Sequence, residues 1–498
     1  MQPDITLLVL DTQRVDRLSC YGYPVEISPH LDKFARDATL FTHAISPSQW
    51  TIPAHASMFT GVHSLQHVLW DVESVLSPTT PTMAERLSQA DYFTVGFSNN
   101  HLIGSRLNNG LNRGFKVFIN YGRSRKVSRT DAPESSTLQA RVLRAVVHSA
   151  ALKKFLLLPQ VRPLAKALFW NDKDIKGNTA QSLSDAAQFM IDRPDLSPNQ
   201  PLFTFINLMG VHTPYDPPGW AVERFAPQFS NGNVEKRLKN FDAELRGTSS
   251  LLSAQSSSDW LAILNGLYDA QVAAQDVLLG DFFDRIRDAG VLDNTLFIVV
   301  SDHGEHLGEK QLLGHSFGAY RELLHVPLLI RDPLGNLPHG TTWDTCVSTR
   351  RVFHTALTAA GIATSEEEAL NLARSGAKDI DQPFVFAESQ LPREARAKTE
   401  RDYPGLLKVR GYDETHLTVY GTGYKLIMAG ESCIGLYDIC DDPTESRDLQ
   451  QTMPDEVEAL CPHIQDFVRQ SGDVIPGMEA EIDDVVMLER LRALGYID

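Results

Sequence analysis

The chain has 498 residues, of which 42% are hydrophobic and 22% are charged, and its formal net charge is −17. These proportions are typical of a soluble globular protein, and the length allows one large domain plus a smaller one. The acidic balance argues against general nucleic-acid binding, because neutralising a phosphate backbone requires a basic surface.

Short apolar runs alternate along the chain with longer stretches of helical periodicity. The three clearest runs are Thr6 to Leu10, Leu202 to Leu208 and Leu296 to Val300. Continuous apolar strands separated by helices are typical of a mostly parallel sheet that is covered on both faces. We therefore expect an α/β fold, in which a large, mostly parallel sheet is flanked by helices.

A basic segment lies between the first two of these strands. Residues 137–171 contain no Asp or Glu but include six basic residues: Arg141, Arg144, Lys153, Lys154, Arg162 and Lys166. This pattern indicates either an interfacial amphipathic helix pair attracted to anionic substrate or to anionic lipid, in peripheral contact with a membrane, or two helices that cover the core with paired basic faces.

A long helix and a smaller subdomain are expected in the second half of the chain. The helical pattern runs from Trp260 to Ala289 and stops at Gly290, a favourable helix C-cap. Shorter strand-like pieces follow, for example His416 to Tyr420 and Tyr424 to Met428. We expect a catalytic domain over residues 1–378 and a small C-terminal α+β subdomain with a helical tail over 379–498.

Polar residues follow the three predicted strands. Asp11 comes directly after the first, His212 comes shortly after the second, and Asp302 and His303 follow the third. Sites in open α/β sheets lie beyond the carboxyl ends of the strands. These side chains therefore either share one site or mark three unrelated strand-to-loop transitions.

Eight segments occur along the chain in a fixed order: ITLLVLDTQRVDRLSCYGY, TIPAHASMFTG, GLNRGFKVF, FINLMGVHTPYDPP, LYDAQVAAQDVLLGDFFDRIRDAGVLDNTLFIVVSDHGEHLGE, GYKLI, LYDICDDPTESRDL and RLRALGY. Together they resemble the sulfatase family of the alkaline-phosphatase superfamily, and the resemblance runs nearly end to end. It implies a sulfatase-like α/β fold and a metal-dependent hydrolase that acts on ester bonds.

The segment from Thr51 to Gly61 resembles the nucleophile turn of that family, in which the Cys of C-x-P-S-R is oxidised to formylglycine. Pro53 preserves the frame, but Thr51 replaces the cysteine. Only Cys, or Ser in some bacteria, can be converted, so we expect no formylglycine and an ordinary threonine nucleophile. Formylglycine expels sulfate by collapse of a hemiacetal, which threonine cannot do. The sequence therefore favours phosphoesters over sulfate esters.

The residues and the resemblance both indicate one divalent metal ion. Asp11, Asp302 and His303 stand where the family holds its metal, and the hydroxyl of Thr51 can complete the set. Oxygen-rich ligation with one imidazole suits Mn²⁺ or Ca²⁺, with Mg²⁺ or Zn²⁺ as alternatives. A second metal would need an acid at the position of Leu208.

The resemblance also implies which residues contact the substrate. His212 and His315 are the catalytic candidates besides Thr51, either being the acid for the leaving group, and both bind substrate oxygens. His55 replaces the arginine of the family's turn and either binds substrate or packs in the turn. Asn99 and Asn100 either donate hydrogen bonds to the substrate or form a loop.

The predicted function is hydrolysis of a phosphodiester, phosphonate monoester or phosphomonoester through a covalent phosphothreonine. An Asp followed by His, as in Asp302-His303, is more like the phosphonate and phosphodiester hydrolases of the family. The alternatives are a sulfuric-ester hydrolase without formylglycine, a phosphotransferase to a lipid or glycan headgroup, and a pseudoenzyme that binds such ligands. The substrate is expected to be a small molecule or headgroup ester, and the oligomeric state is left open.

Five scattered cysteines lack metal-ligand spacing and indicate reduced thiols: Cys20, Cys346, Cys433, Cys440 and Cys461. The first residues do not follow the pattern of a secretion signal, and no apolar run is long enough to span a membrane. We therefore expect a cytoplasmic protein.

Overall fold

The computed structural model describes residues 2–104, 107–121, 176–196, 200–229, 233–247, 258–374, 383–421, 423–471 and 478–479. Its strands, in chain order, are β1 Asp4–Leu10, β2 Thr39–Ile45, β3 Ser74–Val75, β4 Phe93–Ser98, β5 Val117–Asn120, β6 Leu202–Leu208, β7 Thr295–Val300, β8 His306–Leu307, β9 Leu313–Gly314, β10 His325–Arg331, β11 Thr341–Trp343, β12 Val347–Ser348, β13 Val385–Ser389, β14 His416–Gly421, β15 Tyr424–Ala429, β16 Ser432–Asp438 and β17 Met478–Glu479.

The helices, in the same order, are α1 Pro29–Ala35, α2 Thr51–Thr60, α3 Ser64–His67, α4 Met83–Gln89, α5 Thr179–Leu196, α6 Gly219–Phe225, α7 Val234–Gly247, α8 Ser258–Asp288, α9 Arg321–Leu324, α10 Val352–Ala359, α11 Ser365–Ala369, α12 Arg393–Asp402, α13 Leu406–Arg410 and α14 Pro454–Gln470. Among the helices described, none is both long and apolar enough to cross a membrane.

The large sheet has the order β11-β2-β10-β7-β1-β6-β4-β5, with β12 also paired to β2. Every pairing in it is parallel except those of β10, which runs antiparallel to both β2 and β7. The three strands expected from the sequence lie side by side at its centre, because β1 pairs in parallel with β6 on one side and β7 on the other. The expectation of a mostly parallel α/β sheet is confirmed.

Both faces of the central strands are buried because helices pack on each side. Along β1, Leu8 and Leu10 point into one core, whereas Leu7 and Val9 point into the other. The first core is closed by residues of α1, α5 and α8, and the second by residues of α2, α4 and α10. Strands buried on two faces are continuous apolar runs rather than alternating ones, which is the pattern that the sequence shows.

The predicted long helix is present as α8, Ser258–Asp288, and ends one residue earlier than expected. Gly290 follows it with φ of +72°, and its amide donates to the carbonyl of Arg287 over 2.9 Å. A left-handed residue after the last turn satisfies otherwise orphaned carbonyls, and glycine adopts that conformation without steric cost.

A separate antiparallel sheet, β13-β14-β15-β16, begins at Val385. Helix α14 packs on it, with Leu460 and Ile464 buried against Val419 and Leu426. This is the smaller α+β unit expected at the C-terminus, while the division at residues 378 and 379 stays a prediction. The basic segment 137–171 and the terminal RLRALGY sequence lie outside the described residues.

Candidate metal and nucleophile site

The parallel register of β1 and β7 brings acidic side chains together at one edge of the sheet. Val9 pairs with Val300, so Asp11 and Asp302 emerge side by side just beyond the strand ends. Asp11, Asp302 and His303 are fully buried, and one potential ligand atom from each lies within 4.8 Å of the others. The structure therefore brings together three residues that the sequence placed at one site.

The carboxylates of this cluster fit a bound cation. Asp11 Oδ1 and Asp302 Oδ2 are buried and have no hydrogen-bond partner among the described residues. Burial raises the pKa of Asp302 well above its usual range, and the charge of Asp11 raises it further. Burial also raises the pKa of Asp11. Two adjacent buried carboxylates repel each other unless a positive charge lies between them, so the donor set suits a divalent metal.

His303 faces the same point with a defined tautomer. Its Nδ1 donates to the carbonyl of Gly304 over 2.9 Å, which leaves the lone pair on Nε2. Nε2 lies 3.5 Å from Asp302 Oδ2 and 3.9 Å from Asp11 Oδ1. An imidazole oriented by a backbone carbonyl in this way is a typical metal ligand.

Thr51 is the first residue of α2, and its hydroxyl reaches this cluster. The side chain is fully buried, and Oγ1 lies 3.3 Å from His303 Nε2. Helix α2 ends at Thr60 and is followed by Gly61, whose φ is +74° and where an added Cβ would lie 2.6 Å from Phe353 Cδ1. Gly61 thus terminates the helix at one end, while Thr51 at the other end lies beside the candidate metal site.

His55 lies one turn further along α2 and contacts both parts of the site. Its Nδ1 donates to the carbonyl of Thr51 over 2.9 Å and lies 3.4 Å from Asp302 Oδ2. Its Nε2 is 3.3 Å from Asn207 Nδ2. Burial lowers the pKa of His55 to about 3, so the ring is neutral. His55 thus contacts both α2 and Asp302, and its contact with substrate stays a prediction.

The two asparagines after β4 have different surroundings. Asn100 Nδ2 donates to Asp11 Oδ2 over 2.6 Å, and its Oδ1 accepts from the amide of Leu102. Asn100 therefore orients a candidate metal ligand. Asn99 Nδ2 donates to Thr179 Oγ1 over 3.2 Å, and its buried Oδ1 has no hydrogen-bond partner in the described part of the chain. Substrate binding by either residue stays a prediction.

His212 and His315 meet beside the cluster. Their ring centroids are 5.2 Å apart, and the His315 ring is 4.5 Å from that of His303. Burial, together with the nearby charge of His315, lowers the pKa of His212 to about 4. Burial alone would lower the pKa of His315 too, but the charge and hydrogen bond of Glu305, together with the charge of Asp11, outweigh it and raise that pKa.

Three further residues support the site without having been singled out by the sequence. Asn207 is the one amide in the apolar run of β6, and that isolated polar residue is the signal that could have identified it. Tyr268 Oη donates to the carbonyl of Thr12 over 2.7 Å, next to Asp11. Lys176 Nζ lies 2.6 Å from Asp216 Oδ1 and donates to the carbonyl of Gly210, which ties it to the loop of His212.

Comparison with known proteins agrees with this arrangement. Residues 3–362 match the family model described as Sulfatase. An arylsulfatase from Clostridium perfringens (strain 13 / Type A) is 23% identical over 473 residues, which cover 90% of this chain and 90% of that protein.

Two solved structures share the fold. The phosphonate monoester hydrolase of Agrobacterium radiobacter has a TM-score of 0.66 at 19% identity, covering 96% of this chain and 100% of that one. A protein solved in complex with its substrate D-glucosamine-2-N,6-O-disulfate also has a TM-score of 0.66, at 16% identity, covering 96% and 99%. At such identities, the likeness shows a common fold.

Proposed function

The chain belongs to the sulfatase family, and we propose that it cleaves phosphorus esters by direct attack of Thr51. Members of this family are hydrolases that act on ester bonds. Beyond that activity, we propose that the substrate has a phosphorus centre, that Thr51 is the nucleophile and that a metal ion assists it. Phosphodiesters, phosphonate monoesters and phosphomonoesters of larger alcohols are the substrates that this reaction covers.

The observation on which the proposal rests is the position of the Thr51 hydroxyl. It lies 3.3 Å from His303 Nε2, beside two carboxylate oxygens that have no hydrogen-bond partner in the described part of the chain. A free hydroxyl is a weak nucleophile at neutral pH and needs an activating group within contact distance. The N-terminal end of α2 also favours a negatively charged substrate group, because the helix dipole places a partial positive charge there.

Asp11, Asp302 and His303, with the Thr51 hydroxyl, are the residues that would hold one divalent ion, Mn²⁺ or Ca²⁺ in the first place and Mg²⁺ or Zn²⁺ as alternatives. Such an ion lowers the pKa of a coordinated hydroxyl and polarises the ester. Asn100 and the Gly304 carbonyl hold Asp11 and His303 in their orientations. No formylglycine is part of this proposal.

The reaction has two steps on Thr51. Thr51 Oγ1 releases its proton to water and bonds to phosphorus as the bond from phosphorus to the leaving alcohol breaks. His315, whose pKa is raised, gives the alcohol its proton, while His212, whose pKa is lowered to about 4, contacts a substrate oxygen. Water then attacks phosphorus and returns a proton to His315, the bond to Oγ1 breaks, and Oγ1 takes up a proton from water to restore the threonine hydroxyl. Positioning and charge stabilisation supply most of the rate acceleration in such transfers.

A sulfuric ester is the second candidate, because the chain matches an arylsulfatase over most of both lengths. An enzyme without formylglycine would have to release sulfate from Thr51 by attack of water at sulfur. This extra demand is the reason that we favour phosphorus. Both candidate functions use the same site, so they are distinguished by which ester, phosphorus or sulfate, the protein hydrolyses faster.

The test compares matched p-nitrophenyl phosphate, phosphodiester, phosphonate and sulfate esters with Mn²⁺ or Ca²⁺ present. Thr51→Ala should lower kcat for the preferred phosphorus ester by about 10³-fold or more, since the nucleophile is lost. Thr51→Ser is the matched control and should keep much of the activity. Preference for the sulfate ester would overturn the phosphorus proposal, and full activity in Thr51→Ala would overturn the nucleophile.

A further inference from the structure

The hairpin that follows the metal ligands brings Glu305 opposite His315. Strand β8 pairs antiparallel with β9, with His306 opposite Gly314 and Leu307 opposite Leu313. The next cross-strand pair is therefore Glu305 and His315. Gly314 has φ of +74°, a backbone conformation that favours glycine, and it leads directly into His315.

The two side chains meet in a buried contact. His315 Nδ1 lies 3.1 Å from Glu305 Oε1, within hydrogen-bond distance, and the side chains are 11% and 2% exposed. A carboxylate oxygen accepts, so Nδ1 is the donor and the opposite nitrogen, Nε2, faces away from Glu305. The ring lies against His303 on one side and His212 on another.

We propose that Glu305 is a positioning residue that fixes the rotation of the His315 ring, so that His315 Nε2 meets the oxygens of the transferring group. The inference rests on the proposed function, because it assigns a support to one of the two histidines of that reaction. Glu305 itself does not touch the substrate.

The burial of Glu305 supports a functional role over a purely structural one. Its second oxygen, Oε2, is buried and has no hydrogen-bond partner among the residues described. A buried carboxylate with an unsatisfied oxygen costs folding free energy, which an apolar residue at the same place would not cost. A group retained at such a cost beside a candidate catalytic ring is best explained by what it does for that ring.

A small displacement of the ring is enough to matter. Removing the partner that orients a site residue typically lowers activity about 10- to 100-fold, and a misplacement of about 1 Å can have the same effect. We therefore expect Glu305→Ala to lower kcat/KM by about 10- to 100-fold. Glu305→Gln keeps a carbonyl oxygen for Nδ1 and should restore most of that loss.

The deciding experiment is a double-mutant cycle over Glu305→Ala and His315→Ala, run on whichever p-nitrophenyl ester the wild type turns over. The proposal predicts that Glu305→Ala has no further effect once His315 is alanine. An equal fold-loss in both backgrounds would overturn it, because Glu305 would then act independently of His315. Metal analysis of each variant should show unchanged content, and loss of metal in Glu305→Ala would also overturn it.

The same cycle can be measured without turnover, from inorganic phosphate binding by calorimetry. Glu305→Ala should weaken phosphate binding in the wild-type background and leave it unchanged in His315→Ala. A weakening of equal size in both would contradict the inference. A sulfate preference or an active Thr51→Ala variant would contradict the proposed function, but the phosphate-binding cycle could still be measured. Failure of the proposed function and failure of the Glu305 inference are therefore distinguishable.

Discussion

Glu388 is a buried carboxyl group whose replacement should change how stability depends on pH. It lies in β13, is fully buried, and its Oε2 accepts from the amide of Leu65 over 2.6 Å. Its Oε1 lies 3.4 Å from His63 Nδ1. Burial raises the pKa of Glu388 from its ordinary value of 4.5 to about 8, against the opposing effects of the Leu65 amide, the Ser64 side chain and the charge of Arg350.

The direction of the effect follows from the raised pKa. Between pH 4.5 and about 8, the folded protein keeps a proton on Glu388 that the unfolded chain has lost. The stabilisation that this proton contributes is complete below pH 4.5 and is lost as the pH rises through about 8. Each unit of pKa difference corresponds to about 1.4 kcal/mol, so the full loss across this window is at most about 5 kcal/mol.

Glu388→Gln keeps an acceptor for the Leu65 amide and removes the ionisation. Urea unfolding from about pH 5 to about pH 9, at constant metal concentration, should show the variant gaining stability over wild type as the pH rises, by up to a few kcal/mol. Glu431→Gln, at an exposed turn position, is the matched control and should follow wild type. The reasoning is refuted if Glu388→Gln follows wild type at every pH.

Three further outcomes are expected. Asn100→Ala removes the hydrogen bond to Asp11 and should weaken Mn²⁺ affinity about 10- to 100-fold in a calorimetric titration, whereas equal affinity would contradict its positioning role. Gly61→Ala puts a side chain at φ of +74° against Phe353 and should lower the free energy of unfolding by about 1–3 kcal/mol in urea, and an unchanged midpoint would refute this. Metal analysis after loading with Mn²⁺ should give one ion per chain, since Leu208 stands where a second site needs an acid, and two ions would contradict that.

The central sheet and the clustering of the candidate metal residues could be predicted because their signals are local. The buried strands β1, β6 and β7 are unbroken apolar runs, and polar residues follow each of them directly or within a few positions. Parallel pairing then brings Asp11 and Asp302 to one edge of the sheet without further information. The sequence did not indicate that β10 would lie between β7 and β2 in the opposite direction, because strand order depends on long-range packing.

The supporting contacts were harder to predict because their partners are far apart in sequence. Asn100 meets Asp11 across 89 positions, and Asn207 meets His55 across 152. Local chemistry made Asn100 a candidate for substrate binding, whereas the fold places it against Asp11, a candidate metal ligand. The neutral state of His55 likewise depends on complete burial, which no spacing within the turn encodes.

The most direct test of the account is to quench a rapid reaction with the preferred phosphorus ester and identify the modified residue by mass spectrometry. Attack by Thr51 predicts a phosphoryl or phosphonyl group on this residue in the wild type, and none in Thr51→Ala. Turnover with an unmodified Thr51 throughout, and with activity retained in Thr51→Ala, would contradict the threonine nucleophile.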